Sequence, residues 1–485
     1  MTSILTAPYE IRDFIAGEWT GTASSPRHNP ARPDDLVSLA VWGDEHTVAD
    51  AVAAAKAAQP DWAGRTGPAR GAVLIAAGEL LARRAHEVAV DLVREEGKTL
   101  AEATAEVQRA AEVLHFYGSA CWHADGQTFP SAGAGTHLFT KREPLGVVAV
   151  ITPWNFPIAI PTWKIAPALA MGNSVVAKPA QLTPVSMRHL VACLTEAGLP
   201  AGVLNLVHGA GGTVGEALVS HPDIAAVSFT GSSLVGRRIE QLTAGRQVRV
   251  QLEMGGKNPL VVLDDADPAE AARIAAAGGF GLTGQACTAT GRILVTTGVY
   301  DAFVDAFRST AAGYTPGDGL NRATRMGPVV SRSQLTTDQE YLATALAEGN
   351  EVHLGKAPKA DGLFQPPAVV TNVSPTDTIA REEIFGPIVA VLAVSDLDEA
   401  ISVANELPYG LSAGLVSNDL RAVHRFVERI EAGVVKINRS TSGLDLNVPF
   451  GGIKDSSSNT YREQGLGALE FFSWTKTIYL GHGPA

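Results

Sequence analysis

One of the three cysteines has surroundings unlike those of the other two. Cys287 lies in GQACTATGR, residues 284–292, among glycine and small side chains, with Arg292 at the end of the segment. Small neighbours leave a sulfur accessible. An accessible thiol becomes a nucleophile when a local dipole or base lowers its pKa from about 8.5. A free cysteine can equally be a small, inert hydrophobe, and this segment alone leaves both readings open. Cys121 and Cys193 sit within helical apolar patterns and read as core.

Other segments carry residue types that would serve such a nucleophile. ITPWNFP (151–157) ends a strand and holds Asn155 between aromatics and prolines. A rigid amide donor at that place suits an oxyanion site, at about 3–4 kcal/mol per donor; alternatively Asn155 caps the next helix. QLEMGGKNP (251–259) puts Glu253 at a mostly apolar strand end. Apolar surroundings raise a carboxylate's pKa towards neutrality, which suits a general base; the other reading is a structural ion pair with Lys257. VVAKPA (175–180) ends a buried strand on Lys178. Ligands of open α/β sheets bind at such carboxyl ends, so Lys178 either reaches a ribose or phosphate or extends its ammonium to solvent. SFTGSSLVG (228–236) places Gly231 and Ser232 at a helix N-terminus, which attracts phosphate. It matches neither the GxGxxG fingerprint nor a P-loop. HGAGGTVGEAL (208–218) is a second glycine-rich turn, and REEIFGP (381–387) and VPFGGIKDSSSNTYREQG (448–465) are two more whose residues name no role unaided.

These residues need elements to hold them. Residues 12–42 alternate and turn as short strands. From Glu45 to about Trp122 the pattern is helical, with Thr47 as a start signal, one long helix stopping at Gly97, and another over 99–122. A short strand, THLFTKRE, precedes an alternation of strands and helices up to VRVQLEMGG, and a second such unit runs over 258–447. That alternation implies βαβ units and parallel sheets. Asp267-Pro268 marks a helix start, with proline in the first turn.

A chain of 485 residues accommodates about three domains. With 46% hydrophobic and 18% charged residues it can bury sizeable cores. The net charge of −12, with no basic run, argues against nucleic acid and anionic membranes as partners. Three cysteines without a CxxC pair argue against a disulfide framework or a structural metal site and fit a reducing compartment. The N-terminus has no basic segment followed by an apolar one, and the long uncharged stretch at 144–163 is broken by prolines, so neither reads as a leader or a membrane span. A cytoplasmic globular protein is expected.

Taken in order, TPWNFP, KPA, FTGS, LEMGGKN, GQACTATGR, EEIFGP and PFGG resemble the aldehyde dehydrogenase superfamily along nearly the whole chain. PWNFPIAIPTWKIAPAL, CTATGR, VPFGG and the REQG segment are similar to the α-ketoglutaric semialdehyde (2,5-dioxovalerate) dehydrogenase subgroup. The resemblance implies an α/β fold with a Rossmann-type cofactor domain (1–123 and 144–254), a catalytic domain (255–454) and a small β extension for oligomerisation (124–143 and 455–485). It implies NAD or NADP as cofactor, a small aldehyde as substrate, no metal, and a homodimer or homotetramer. Cys287 would attack the aldehyde, Asn155 and the Cys287 amide would hold the oxyanion, and Glu253 would activate the hydrolytic water. Lys178 would bind the adenine ribose, Ser232 a phosphate and Glu383 the nicotinamide ribose, with Trp154, Gln181, Gly211, Phe229, Gly231 and Phe385 completing the cofactor site. Phe156, Ile160, Trp163 and Arg439 would shape the substrate pocket. The acylating branch, which passes its acyl group to coenzyme A, typically lacks a glutamate at the Glu253 position, so hydrolysis is implied.

Three departures stand out. Gln181 replaces the glutamate that many NAD-preferring members carry after KPA, which removes repulsion against a 2′-phosphate. Arg439 stands where the subgroup tends to have small residues and could pair with a substrate carboxylate or lie solvated at the surface. KDSSSNTY stands where glycine-rich sequence is commoner, without an evident mechanism. Succinic semialdehyde, benzaldehyde and aliphatic aldehydes remain rival substrates, and a non-catalytic binding member remains a rival of another kind.

Overall fold

The computed structural model describes residues 7–358 and 360–481. Two seven-stranded sheets organise the chain. The first runs, edge to edge, Arg249–Met254, Ile224–Gly231, Val147–Ile151, Ser174–Lys178, Leu204–Leu206, Asp13–Ile15 and Glu18–Thr20. Its first five strands are parallel and the last two antiparallel. Among the parallel strands the chain starts at the middle one, Val147–Ile151, steps outwards through 174–178 and 204–206, then returns to the other side at 224–231. The strand order therefore reverses between Val147–Ile151 and Ile224–Gly231. In open α/β sheets a ligand crevice opens at the carboxyl ends of the strands flanking that reversal.

The second sheet runs Glu351–Leu354, Ala368–Thr371, Ile388–Val394, Thr290–Thr296, Asn258–Val262, Ser412–Val416 and Val434–Ile437. All its pairings are parallel except that of the edge strand Glu351–Leu354. Its interior strands are continuous apolar runs buried on both faces, as helix-covered parallel strands must be. The chain crosses between the sheets at Gly255–Lys257, so Glu253 and Cys287 reach the same place from different sheets. A third sheet pairs Ser473–Gly481 with Thr136–Pro144 over nine residues, and the latter with Thr128–Phe129.

Local expectations are refined in two places. The first long helix, Glu45–Gly64, is capped by Asp44; Thr47 sits three residues in and completes a reciprocal capping box, so it is not the cap. The single helix expected to reach Gly97 is two, Gly67–Arg83 and Ala85–Glu96. At the break the Arg84 amide donates to both Leu80 and Leu81, tightening the final turn. Gly97 does stop the second helix, with φ of 108°. Among the described residues no helix is long and apolar enough to cross a membrane. Positions 1–6, 359 and 482–485 of the expected domain ranges lie outside the described residues.

Candidate active site

A cavity of about 250 Å³ opens where the strand order of the first sheet reverses. Its walls include Trp154 and Asn155 from beyond strand Val147–Ile151, Gly231 and Ser232 from the end of Ile224–Gly231, and Cys287, Gln334, Glu383 and Phe385 from the second sheet's loops. Residues more than 230 positions apart in the chain thus converge.

The Cys287 loop is held by long-range bonds. The turn before it is strained: Leu282 and Thr283 have φ of 52° and 57°, and Gly284 has φ of 68°. Left-handed non-glycine residues persist only where surroundings over-determine them, at about 1–3 kcal/mol each. Here the Glu102 carboxylate accepts from the Leu282 amide at 2.7 Å, and Thr283 donates to the Gly327 carbonyl at 3.2 Å. Asn258 donates to the carbonyls of both Cys287 and Ala289 at 2.8 Å. Cys287 is half-buried by surface area and faces the narrow cavity, not bulk water. Desolvation, then the charges of Glu383, Glu253 and Glu463, push its thiol up to about 12. The resting group is a neutral thiol, and positive charge brought into the cavity would favour the thiolate.

Asn155 does not cap the following helix, which starts at Ala159 without a side-chain cap. Its Nδ2 donates to the Gln285 carbonyl at 2.9 Å, and its Oδ1 is buried without a partner. An amide nitrogen has two hydrogens, so one remains for an oxyanion beside Cys287. The loop is fixed from below by Lys98, whose ammonium donates to the Asn155 carbonyl and to Glu106, each at 2.6 Å. Glu106 in turn accepts the Ile158 and Ala159 amides at 3.0 and 3.1 Å, anchoring the start of the helix.

Glu253 ends strand Arg249–Met254, is 1% exposed, and does not line the cavity. Its carboxylate accepts from the Gly452 amide and the Ser457 hydroxyl, both at 3.0 Å, and not from Lys257. Burial and the nearby Glu463 raise its pKa well above the usual carboxylate range. Glu463 is itself buried, bonded to the Trp163 indole at 3.0 Å and paired with Lys164.

The expected cofactor residues divide into two groups. Lys178 is 5% exposed, not extended to solvent; its ammonium reaches only the Pro179 carbonyl at 3.4 Å, and burial lowers its pKa to about 8. Ser232 caps the helix Ser233–Thr243, so the amides of that first turn face the cavity mouth. Glu383 accepts from the Gly256 amide at 3.0 Å, and its pKa is raised to about 7, chiefly by burial. Gly255 packs against that carboxylate with no room for a Cβ. Phe385, with φ of 63°, sets its ring edge-on to Trp154 at 5.3 Å. Phe229 is buried beneath Gly231 and lies outside the cavity wall. Gly211 is exposed, and it is Gly215 that lies against the Lys178 side chain. Gln181 is exposed beyond Lys178.

The expected substrate-pocket residues are not in this cavity wall. Ile160 is fully core, Trp163 packs against Phe450 and bonds Glu463, and Phe156 lies under the Lys98 ammonium at 4.5 Å. They sit on the first turns of Ala159–Ala170 and its lead-in, and their apolar character follows from packing there. Arg439 is exposed, one residue before a segment whose Thr441 and Ser442 both donate to the Thr288 carbonyl. The sequence reading missed Lys98, Glu106, Lys164, Gln334, Ser457 and Glu463. The available signal was a charged residue inside an apolar helical stripe, as at Lys164 in AIPTWKIAPALA.

Could these residues hold a nicotinamide dinucleotide? The buried Lys178 ammonium lacks a carboxylate partner among the described residues, the open helix N-terminus at Ser232 suits a phosphate, and Glu383 keeps an oxygen towards the cavity. These are the donors and acceptors such a cofactor requires.

Comparison with known proteins agrees. The sequence profile of the aldehyde dehydrogenase family matches residues 19–478. The chain is 47% identical to the alpha-ketoglutarate semialdehyde dehydrogenase of Haloferax volcanii, covering 96% of this chain and 98% of that one. It is 45% identical to the 2,5-dioxopentanoate dehydrogenase of Saccharolobus solfataricus, covering 93% and 95%. Among solved structures, an NADP-dependent enzyme of E. coli superposes with a TM-score of 0.93 at 34% identity, covering 98% of each chain. The betaine aldehyde dehydrogenase of Staphylococcus aureus, solved with NAD+, superposes at 0.92 and 33%, covering 98% and 95%. Motifs, fold and relatives thus converge: the chain belongs to the aldehyde dehydrogenase family.

Proposed function

We propose that the protein oxidises an acidic semialdehyde, α-ketoglutaric semialdehyde first among them, to its carboxylic acid. The observation that carries this reading is the convergence of Cys287, Asn155, Glu383 and the Gly231–Ser232 turn on one cavity with Glu253 buried behind it. The names of the relatives above supply the substrate class.

The Cys287 thiol gives up its proton to solvent, and the resulting thiolate attacks the aldehyde carbon and forms a C–S bond. The carbonyl oxygen becomes an oxyanion that takes a hydrogen bond from Asn155 and the Cys287 amide. Nicotinamide, when bound, supplies a hydride acceptor for the hydrogen on that carbon. The resulting thioester is cleaved by water: the Glu253 carboxylate accepts the water proton, a C–O bond forms, and the C–S bond breaks to return the thiolate. Lys178, Ser232, Glu383, Trp154 and Phe385 hold the dinucleotide, as NAD or NADP.

Residues 1–123 and 144–254 serve chiefly the cofactor, 255–454 carry the nucleophile, and 124–143 with strand Ser473–Gly481 serve assembly; the expected assembly range 455–485 is too wide, because Ser457 and Glu463 bond to Glu253 and Lys164 at the site. Strand Ser473–Gly481 keeps one edge unpaired and exposes Tyr479 and Leu480. Such an edge is covered by pairing with another chain, which supports a homodimer or a dimer of dimers. The three cysteines are free, which supports a reducing, cytoplasmic setting.

The test is formation of reduced nicotinamide with α-ketoglutaric semialdehyde, succinic semialdehyde, benzaldehyde and hexanal, using each dinucleotide. The first aldehyde should give the highest kcat/KM; a higher value for hexanal or benzaldehyde would sink the substrate assignment. Because Gln181 presents no charge to a 2′-phosphate, NADP turnover should lie within about a hundredfold of NAD turnover. Gln181→Glu should widen that gap by roughly tenfold or more, and an unchanged ratio refutes the role of this position. Arg439→Glu should raise KM for acidic aldehydes by about tenfold and leave hexanal unaffected. Equal KM values in variant and wild type would return Arg439 to the solvated surface.

A further inference from the structure

The serine run of the late loop has a structural reason. Residues 456–460 lie antiparallel along the outer edge of strand Arg249–Met254. The Met254 amide donates to the Ser456 carbonyl at 2.9 Å, and the Ser458 amide donates to the Leu252 carbonyl at 3.1 Å. Those bonds flank Glu253 and Ser457, which face each other as a bridged pair. In an antiparallel ladder a pair flanked in this way brings its side chains closest together, on one face. Hydroxyls lock the register: the Leu252 amide donates to Ser458 Oγ at 3.1 Å, Thr460 donates to the Val250 carbonyl at 3.0 Å, and Ser456 donates to the Gly255 carbonyl at 2.8 Å. The Ser457 hydroxyl has little freedom to point elsewhere than at the Glu253 carboxylate, and the 3.0 Å bond shows that it does point there.

The seat is complete on the carboxylate's other side. Gly452 donates its amide to the second oxygen, and a Cβ at Gly451, whose φ is 158°, would intrude on the Glu253 carboxylate. The charged and titratable groups facing this seat are Glu463 and its partner Lys164, Cys287, and Arg462, which lies against Gly451 and donates to the Gly452 carbonyl. Glu463 works against an ionised Glu253, and Lys164 is largely engaged by Glu463. The direct donors to Glu253 are therefore an amide that cannot be mutated away and one hydroxyl that can.

We propose that Ser457 is a positioning residue for the general base, its hydroxyl seating the Glu253 carboxylate in ionised form for thioester hydrolysis. This rests on the reading of Glu253 as that base. Glycine at position 457 would leave one carboxylate oxygen without its hydroxyl donor.

The experiment follows decay of the acyl-enzyme from pH 5 to 9 in single turnovers, on wild type, Ser457→Ala, Ser457→Gly and Ser457→Thr. The initial burst of reduced nicotinamide is recorded in each. Hydrolysis requires ionised Glu253, so its rate rises with pH through the carboxylate's pKa. Loss of the donor disfavours the ionised form, so the rising limb should move to higher pH by about one unit in the alanine and glycine variants. The burst should persist in them, and threonine, which keeps the hydroxyl, should restore the wild-type limb. Limbs that coincide in alanine and wild type, or a threonine limb displaced as far as alanine's, overturn the proposal. A persistent burst shows that each variant is folded with its nucleophile in place. A wild type that forms no reduced nicotinamide with any aldehyde would instead remove the functional reading on which the proposal rests.

Discussion

Cys287→Ala should abolish aldehyde-dependent reduction of both dinucleotides, by on the order of 10⁴-fold or more in kcat. The magnitude follows from the chemistry. An aldehyde carbon is trigonal and cannot release hydride until a nucleophile makes it tetrahedral, and among the described residues Cys287 is the one thiol in the cavity wall, beside the weaker alcohol nucleophiles Thr230 and Ser232. The remaining walls still bind and orient substrate, but they cannot form the adduct. The substitution removes one sulfur from a half-buried position whose backbone is held by Asn258 and Glu102, so folding and dinucleotide affinity should hold. The assay is reduced nicotinamide formation together with dinucleotide binding by fluorescence. Residual turnover within tenfold of wild type would assign the nucleophile elsewhere. A wild type equally inactive on every aldehyde would leave the motif set without the activity and favour a binding protein.

Glu253→Gln separates the two halves of the reaction. In the proposed mechanism acylation does not need this carboxylate, so a burst of about one equivalent of reduced nicotinamide per Cys287 should persist. Hydrolysis in that mechanism does need it, and the steady-state rate should fall by roughly 10²–10⁴-fold, the usual contribution of a positioned base. Glutamine is close in shape and keeps an oxygen to accept from Gly452, so the seat should survive. Mass spectrometry should show the acyl group on Cys287. The pH dependence has a definite sign. Burial and Glu463 raise the Glu253 pKa, so wild-type hydrolysis should climb with pH past the normal carboxylate range. The glutamine variant should lack that climb. A wild-type steady-state rate in the variant, with no trapped acyl group, would mean another group activates the water.

Ordering of the site also has an acid–base cost. Three buried carboxylates, Glu253, Glu463 and Glu106, and the half-buried Glu383 lie within or just behind one site, against Lys98 and Lys164. The two lysines are matched to Glu106 and Glu463. Glu253 and Glu383 are left with amide and hydroxyl donors in place of cations. That difference separates carboxylates that brace the loops from those free to exchange protons.

Much of this protein can be read from local sequence, because the relevant physics is local. A strand followed by a glycine turn and a helix fixes where Ser232 and its amides face. Lys178 at a strand end, Asn155 between prolines and Cys287 among small residues each carry their meaning within a few positions. The order of these segments identifies the family, and the alternation of strands and helices identifies the α/β class. Other features depend on contacts between distant positions, and no periodicity records them. Lys164 and Glu463 are 299 residues apart and look, respectively, like a misplaced charge in an apolar helix and a loop acid. Ser457 becomes a partner of Glu253 only because a late loop pairs with the edge of an early strand, 204 residues away. Phe156, Ile160 and Trp163 have the composition of a substrate pocket, yet packing directs them into the core and towards Lys98 and Glu463. Sequence alone determined which groups can do chemistry and on which elements they sit. Tertiary structure alone decided which buried charges meet, because desolvation makes an unpaired charge costly and only the folded chain can bring its partner to it.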